Sequence, residues 1–168
     1  MLKLSFISLL FISSLVNAEE TRHANAHVHG LNNLTMVLSQ NQIAITYEMP
    51  IIQLYEEHEE HEEHEELAIK NESLKAFENH LQLFEFPIGA ECELSSFKSE
   101  LHNVSTEGDH KDIELSYEFY CNEPNLLNGI QINAFERFDG LQMVNFDAII
   151  NNQGFIKSFN SLESKITF

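Results

Sequence analysis

The chain has 168 residues, and its 27 Asp and Glu residues against nine Lys and Arg give a formal net charge of −18. This excess of negative charge argues against nucleic acids and anionic membrane surfaces as partners, and it suits a cation as the partner instead. Residues 19–168, which follow an expected leader sequence, are enough for one domain with a substantial core.

Residues 1–18 have the features of a secretory signal peptide. Lys3 supplies a short positive start, residues 4–16 are mostly apolar, and Val16-Asn17-Ala18 matches a small-residue cleavage site. The apolar stretch is shorter than the ~20 residues of a membrane span, and no later segment is long or apolar enough. We therefore expect an exported protein in the periplasm, with no membrane insertion after the signal peptide is cleaved.

Residues 26–38 alternate as a β-strand does, with mostly apolar even positions. The odd positions include His27 and His29, so the two histidines should lie on one face, away from the apolar side. A polar turn at residues 39–42 and a second alternating stretch that ends at Pro50 predict an antiparallel hairpin.

The segment after this hairpin predicts the main helix. Its apolar residues recur at spacings of seven, three, four and three and form one stripe: Leu67, Leu74, Phe77, Leu81 and Phe84. When the same helix is extended back through residues 56–66, the three histidines of that segment face solvent, roughly opposite the stripe.

Beyond residue 90, alternating apolar residues predict further strands, and residues 99–111 are predicted to form a polar loop. The predicted strands are 91–97, 112–121, 130–134, 144–150, 155–159 and 166–168, with a hairpin turn at 151–154. Together these patterns predict an α+β fold, with a mainly antiparallel sheet of about seven strands and one main helix.

Residues 56–66 read E-E-H-E-E-H-E-E-H-E-E, which places three imidazoles among eight carboxylates. Both groups bind divalent transition metals, and residues three apart on a helix can share one ion. The alternative is a solvated acidic face with no ligand. We favour the metal interpretation, in which His58, His61 and His64 collect Zn²⁺.

The remaining candidate ligands form two groups. His27 and His29, with His23 shortly before them, are the best candidates for an ordered zinc site because they should share one strand face. His102 and His110 lie in the predicted polar loop and could complete that site, although a plain surface role fits this pair equally well. The same side chains would also bind Cu²⁺ or Ni²⁺, so the sequence leaves metal selectivity open.

The two cysteines, Cys92 and Cys121, favour a disulfide bond, because an exported protein matures in an oxidising compartment. The alternative is a zinc site that contains cysteine.

Enzyme signatures are absent from the sequence. His58-Glu59-Glu60-His61 is one residue too short for the zinc-protease pattern, and no phosphate-binding glycine loop or Gly-x-Ser-x-Gly occurs. We therefore expect a binding protein, and a zinc hydrolase is the least favoured hypothesis. The alternative from another class is an acidic secreted adaptor that binds a protein partner through its charged helix, with salt-sensitive and chelator-insensitive binding.

Several stretches, taken in order, resemble the ZrgA-type periplasmic zinc-binding proteins of Gram-negative bacteria. They are His27-Val28-His29-Gly30, Leu54-Tyr55-Glu56-Glu57-His58, Leu81 to Phe84, Cys92-Glu93-Leu94, Ser116 to Cys121, Phe135 to Leu141 and the hairpin through Gln153-Gly154.

The resemblance implies a soluble protein that captures or buffers Zn²⁺ and supports zinc uptake, with components of an ABC-type importer as partners. The chain departs from the family pattern twice. The longer His/Asp-rich middle loop is reduced to His102, Asp109 and His110, and the E-E-H repeat takes the place of a Phe-Glu-His after the second strand.

Overall fold

The computed structural model of the chain describes residues 30–54, 74–103 and 111–168. Within these ranges nine strands form two sheets. The strands are β1 (Leu31–Ser39), β2 (Gln42–Pro50), β3 (Phe84–Glu85), β4 (Cys92–Asn103), β5 (Lys111–Cys121), β6 (Gly129–Ile132), β7 (Met143–Ile150), β8 (Gln153–Phe159) and β9 (Lys165–Thr167).

Helical structure in the described part of the chain is short. It comprises α1 (Ala134–Arg137), a helical turn at residues 74–76, and the 3-10 segments Ile51–Leu54, His80–Gln82, Ile88–Ala90 and Pro124–Leu126. In these ranges no helix is long and apolar enough to cross a bilayer.

The larger sheet has six strands in the order β4-β5-β2-β1-β7-β8, and the smaller has three in the order β3-β6-β9. All described strand pairs are antiparallel except β1 with β7. The smaller sheet covers the apolar face of the larger one. Phe84 of β3 packs edge-on against Tyr117 and Phe119 of β5, with ring centroids 5.4 and 6.1 Å apart.

The alternation predicted for the central strands is confirmed. In β1 the even positions from Asn32 to Leu38 are buried and the odd positions are mostly exposed, and β2 buries Ile43, Ile45, Tyr47 and Met49. The β1–β2 and β7–β8 hairpins are present. The turn between β7 and β8 has positive φ at both Asn151 and Asn152, which is typical of a two-residue type I′ turn.

The predicted α+β fold with one main helix is wrong, because the described chain is mostly β. Of the predicted stripe, Leu74 and Phe77 are buried, but Leu81 is 52% exposed and Phe84 lies in β3. Hydrogen bonds to a distant part of the chain prevent the predicted helix from continuing. The carbonyl of Leu83 accepts from the backbone amides of Asn133 and Ala134, so it is not available to a continuing helix. The part of the predicted helix that contains Leu67 and residues 56–66 lies outside the described residues.

Part of the predicted loop at residues 99–111 is strand: residues 99–103 and 111 lie in strands, and residues 104–110 lie outside the described residues. β4 continues to Asn103 and β5 begins at Lys111, with a bulge in β4 between Leu94 and Ser96. β4 lies at the edge of the sheet and exposes one of its faces to solvent, so its polar residues are compatible with a strand. The last predicted strand forms as β9, but it joins the smaller sheet rather than the larger one.

Candidate functional site

One end of the larger sheet gathers four strand termini. Pro50 at the end of β2 pairs with Asp112 near the start of β5, and Asp112 pairs with His102 near the end of β4. The β1–β2 register, extended by two residues, puts Leu31 level with Pro50. The start of β1, the end of β2, the start of β5 and the end of β4 therefore lie side by side.

These termini are where the described chain continues into the histidine-bearing stretches of the sequence. His29 directly precedes Gly30, His58 follows Leu54 by four residues, and His110 directly precedes Lys111. The candidate metal ligands thus join the sheet at a common end, although they are spread over almost 90 residues of sequence, from His23 to His110.

Only one of the eight predicted metal ligands lies among the described residues. His102 occupies a position in β4 opposite Asp112. The other seven lie outside the described residues: His23, His27, His29, His58, His61, His64 and His110. The same holds for the predicted signal peptide at residues 1–18.

Sequence reasoning missed Asp112 as the partner of His102, because it placed His102 in a loop. The predicted disulfide could have revealed this pairing. If Cys92 is paired with Cys121 in an antiparallel ladder, the register ten residues further along β4 places His102 opposite residue 111. The single bulge in β4 shifts this register by one residue, so His102 is opposite Asp112. In metal sites a carboxylate commonly orients a ligand imidazole and raises its basicity, so Asp112 is a candidate for this role.

A row of carboxylates crosses the outer face of the sheet next to this pair. Glu114 of β5 lies between Glu48 of β2 and Glu100 of β4 in the strand register. Glu114 is two residues from Asp112 on β5 and lies on the same face of that strand, and Glu100 is opposite Glu114. The row brings three carboxylates side by side near this end of the sheet, and carboxylate oxygens are candidate ligands for divalent cations. Within the described ranges, however, no three His, Cys, Asp or Glu side chains form a group that could hold a metal ion by themselves.

Gly30 anchors the start of β1 beside this end. Its φ is +81°, and a Cβ atom at this position would lie 2.7 Å from the carbonyl oxygen of Gly140. Its own carbonyl accepts hydrogen bonds from the backbone amides of Gln142 and Met143, at 2.8 and 2.9 Å. The glycine is therefore a turn before the strand rather than part of it. Residues 26–29 of the predicted strand, with His27 and His29, lie outside the described residues.

Two buried tyrosines of the larger sheet make hydrogen bonds in the core. The Asn32 amide donates a hydrogen bond of 2.8 Å to the Tyr47 hydroxyl, and both residues are fully buried. The Tyr117 hydroxyl donates one of 2.7 Å to the backbone carbonyl of Phe77. Burial raises the pKa of both tyrosines far above the usual value near 10, so they remain neutral and serve packing rather than metal binding.

His80 is separate from the candidate site. Its ring centroid is 4.8 Å from that of Phe119 and 5.6 Å from that of Phe84. Burial lowers the pKa of the imidazole, because the charged form loses hydration. His80 is therefore a structural residue that packs against the aromatic core.

The predicted disulfide is present. Cys92 and Cys121 are bonded across β4 and β5, and the bond excludes a zinc site made from these two cysteines. Cys92 is ten residues from His102 along β4, which is about 30 Å at ~3.3 Å per strand residue. The bond therefore closes the end of the sheet opposite the candidate site.

A comparison with known protein families identifies the family of this chain. Residues 26–168 match the family model described as ZrgA family zinc uptake protein. This match spans most of the chain, so the protein belongs to that family, and a role in zinc uptake follows from it. No curated protein matches the chain.

Proposed function

We propose that the protein binds Zn²⁺ in the periplasm, captures or buffers it, and supports its uptake with an ABC-type importer, without catalysing a reaction. The observation that carries this proposal is the common end of the sheet. The strand termini that continue into all three histidine-bearing stretches lie there, beside a row of carboxylates. Membership of a zinc uptake family supports zinc as the metal.

Imidazoles from different stretches would complete the ordered site. His27 and His29 are the leading ligands, and His102 or His110 would add a third from the β4–β5 hairpin. Asp112 has a place in this arrangement as the carboxylate opposite His102. His58, His61 and His64, together with His23, would raise the number of ions collected.

Calorimetric titration with Zn²⁺ tests the proposal. Replacing His27 and His29 with Ala should remove the tightest binding step, whereas replacing the histidines at 58, 61 and 64 with Gln should lower the stoichiometry and leave that step in place. His80→Gln is the matched control, because it removes a histidine that packs against Phe84 and Phe119. A combined variant at all five positions that binds zinc like the natural protein would exclude this assignment.

The role of Asp112 has its own test. Asp112→Asn should weaken the tight step by roughly 10- to 100-fold, which is the usual effect of losing a carboxylate that orients a ligand imidazole. Asp147→Asn is the control, since Asp147 is an exposed residue in β7, away from β4 and β5. Equal affinities in the two variants would remove Asp112 from the site.

The proposal also sets a pH dependence. Neutral imidazole is the ligand, so zinc affinity should fall as the pH drops through the ordinary histidine pKa near ~6.5. Titrations at several pH values check this, and an affinity that is constant down to about pH 5 would point to carboxylate ligands alone.

A further inference from the structure

The larger sheet has an open edge at β8, which is a second candidate interaction surface. β8 is the last strand in the sheet order and pairs only with β7 among the described residues. The two-residue turn before it makes Ile150 and Gln153 the first hydrogen-bonded pair. In the alternation that follows, Gly154, Ile156 and Ser158 direct their backbone N–H and C=O groups to the open edge.

Apolar side chains accompany this edge on the outer face of the sheet. Ile156 is 88% exposed, and Ile149 and Val37 are about half exposed. Val37 is level with Ile149 in the sheet, and Ile149 is a diagonal neighbour of Ile156. The three side chains form a continuous apolar strip that leads to the edge, here called the β8 strip.

Among the described residues, the β8 edge lacks the usual protection against pairing. A lysine in an edge strand normally keeps other strands away. Here the Lys157 ammonium is held within its own chain, 2.9 Å from the Glu163 carboxylate and 5.7 Å from the centroid of the Phe159 ring. By contrast, the other edge, β4, has a bulge between Leu94 and Ser96 that disturbs its hydrogen-bonding pattern.

The distribution of charge favours a second copy of the chain as the partner at this edge. The chain has a net charge of −18, yet residues 141–168 contain two carboxylates, Asp147 and Glu163, and two amines, Lys157 and Lys165, so their side chains sum to zero. Two copies of so acidic a chain repel each other least through a neutral surface. The edge is also self-complementary. An antiparallel pair centred on Ile156 places Gly154 opposite Ser158 of the second copy, and all three outward-directed residues find partners.

We infer that the protein forms a two-fold symmetric dimer through its β8 edges, which join the two six-stranded sheets into one. Ile156 of one copy then faces Ile156 of the other, with both β8 strips on the same side of the joined sheet. A single strand pair with its flanking side chains is a small interface, so the association is weak and depends on concentration.

Sedimentation velocity of the protein expressed from its full sequence, at roughly 1–500 µM, tests the inference. We expect a monomer–dimer equilibrium that shifts toward dimer between 20 and 500 mM NaCl, because salt screens the net negative charge. Ile156→Lys should weaken the dimer by about tenfold or more, because it places two like charges opposite each other. Ile88→Lys is the matched control, since Ile88 is 96% exposed and lies outside β8.

A cysteine substitution tests the strand register. In the proposed pairing the Ile156 Cα atoms lie about 5.5 Å apart, which is within disulfide range, so Ile156→Cys should form covalent dimers under mild oxidation and Ile88→Cys should not. Circular dichroism confirms that each variant is folded. A monomer at all concentrations and salt conditions, a dimer that Ile156→Lys leaves intact, or equal crosslinking of the two cysteine variants would each overturn the inference.

Discussion

Gly30→Ala should destabilise the protein and disturb zinc binding together. The positive φ of +81° costs a residue with a side chain roughly 1–2 kcal/mol. The new Cβ would lie 2.7 Å from the Gly140 carbonyl oxygen, so the backbone must move, at a cost of about 1–3 kcal/mol. Reduced freedom of the unfolded chain returns about 0.4–1 kcal/mol. The net loss is about 2–4 kcal/mol in the free energy of unfolding.

Urea unfolding, followed by circular dichroism without zinc, measures this loss, and calorimetry then measures zinc binding to the folded variant. Gly89→Ala is the matched control, because its Cβ would meet only two side-chain atoms of Leu126, at 3.5 and 3.9 Å, and its φ is not positive. The control should stay within about 0.5 kcal/mol of the natural protein. A Gly30→Ala variant as stable as this control would refute the argument that Gly30 is required for the turn before β1.

Three further predictions follow from the core and the disulfide. Burial lowers the pKa of His80 in the folded state. The contribution of His80 to stability is therefore present above pH ~6.5 and is lost as the pH falls below that value. We expect His80→Gln to flatten the decrease in the free energy of unfolding between pH 7.5 and 5.5. Tyr117→Phe leaves the buried carbonyl of Phe77 without its hydrogen bond and should cost about 1–3 kcal/mol in urea unfolding. Replacing Cys92 and Cys121 with Ser opens a loop with a sequence separation of 29 and should cost about 3–4 kcal/mol.

Each of these predictions has a control. Tyr120→Phe removes a hydroxyl from a half-exposed tyrosine of the same strand and should have little effect. Reductant should lower the stability of the natural protein to that of the serine variant, and a difference that persists would mean that the substitutions act through packing. For His80, an unchanged pH dependence in the glutamine variant would assign the acid sensitivity to other groups.

The central strands were predictable because each one buries one face. In β1, β2, β5 and β7 the side chains alternate between core and solvent, and a period of two is read directly from the residue types. The turn at Asn151 and Asn152 was predictable for a local reason as well, since asparagine accepts positive φ more readily than most residues.

The helix was predicted wrongly because apolar spacing does not report backbone hydrogen bonds. Leu74 and Phe77 are buried as a helical stripe requires, but Phe84 reaches the core from a strand paired with β6. Both arrangements bury Leu74, Phe77 and Phe84. The choice between them depends on partners about 50 residues away in the sequence, such as Asn133 and Ala134 at the Leu83 carbonyl.

The sequence by itself determined the chemistry of this protein: its acidity, its histidines beside carboxylates, and the cysteine pair that the disulfide joins. These are properties of residue types, and they do not depend on where the chain goes. Only the tertiary structure decided which distant residues become neighbours. Strand register places His102 opposite Asp112, and it brings the four strand ends that lead to the histidine stretches together at one end of the sheet. Register results from cooperative pairing across the whole sheet, so no local stretch of sequence contains it.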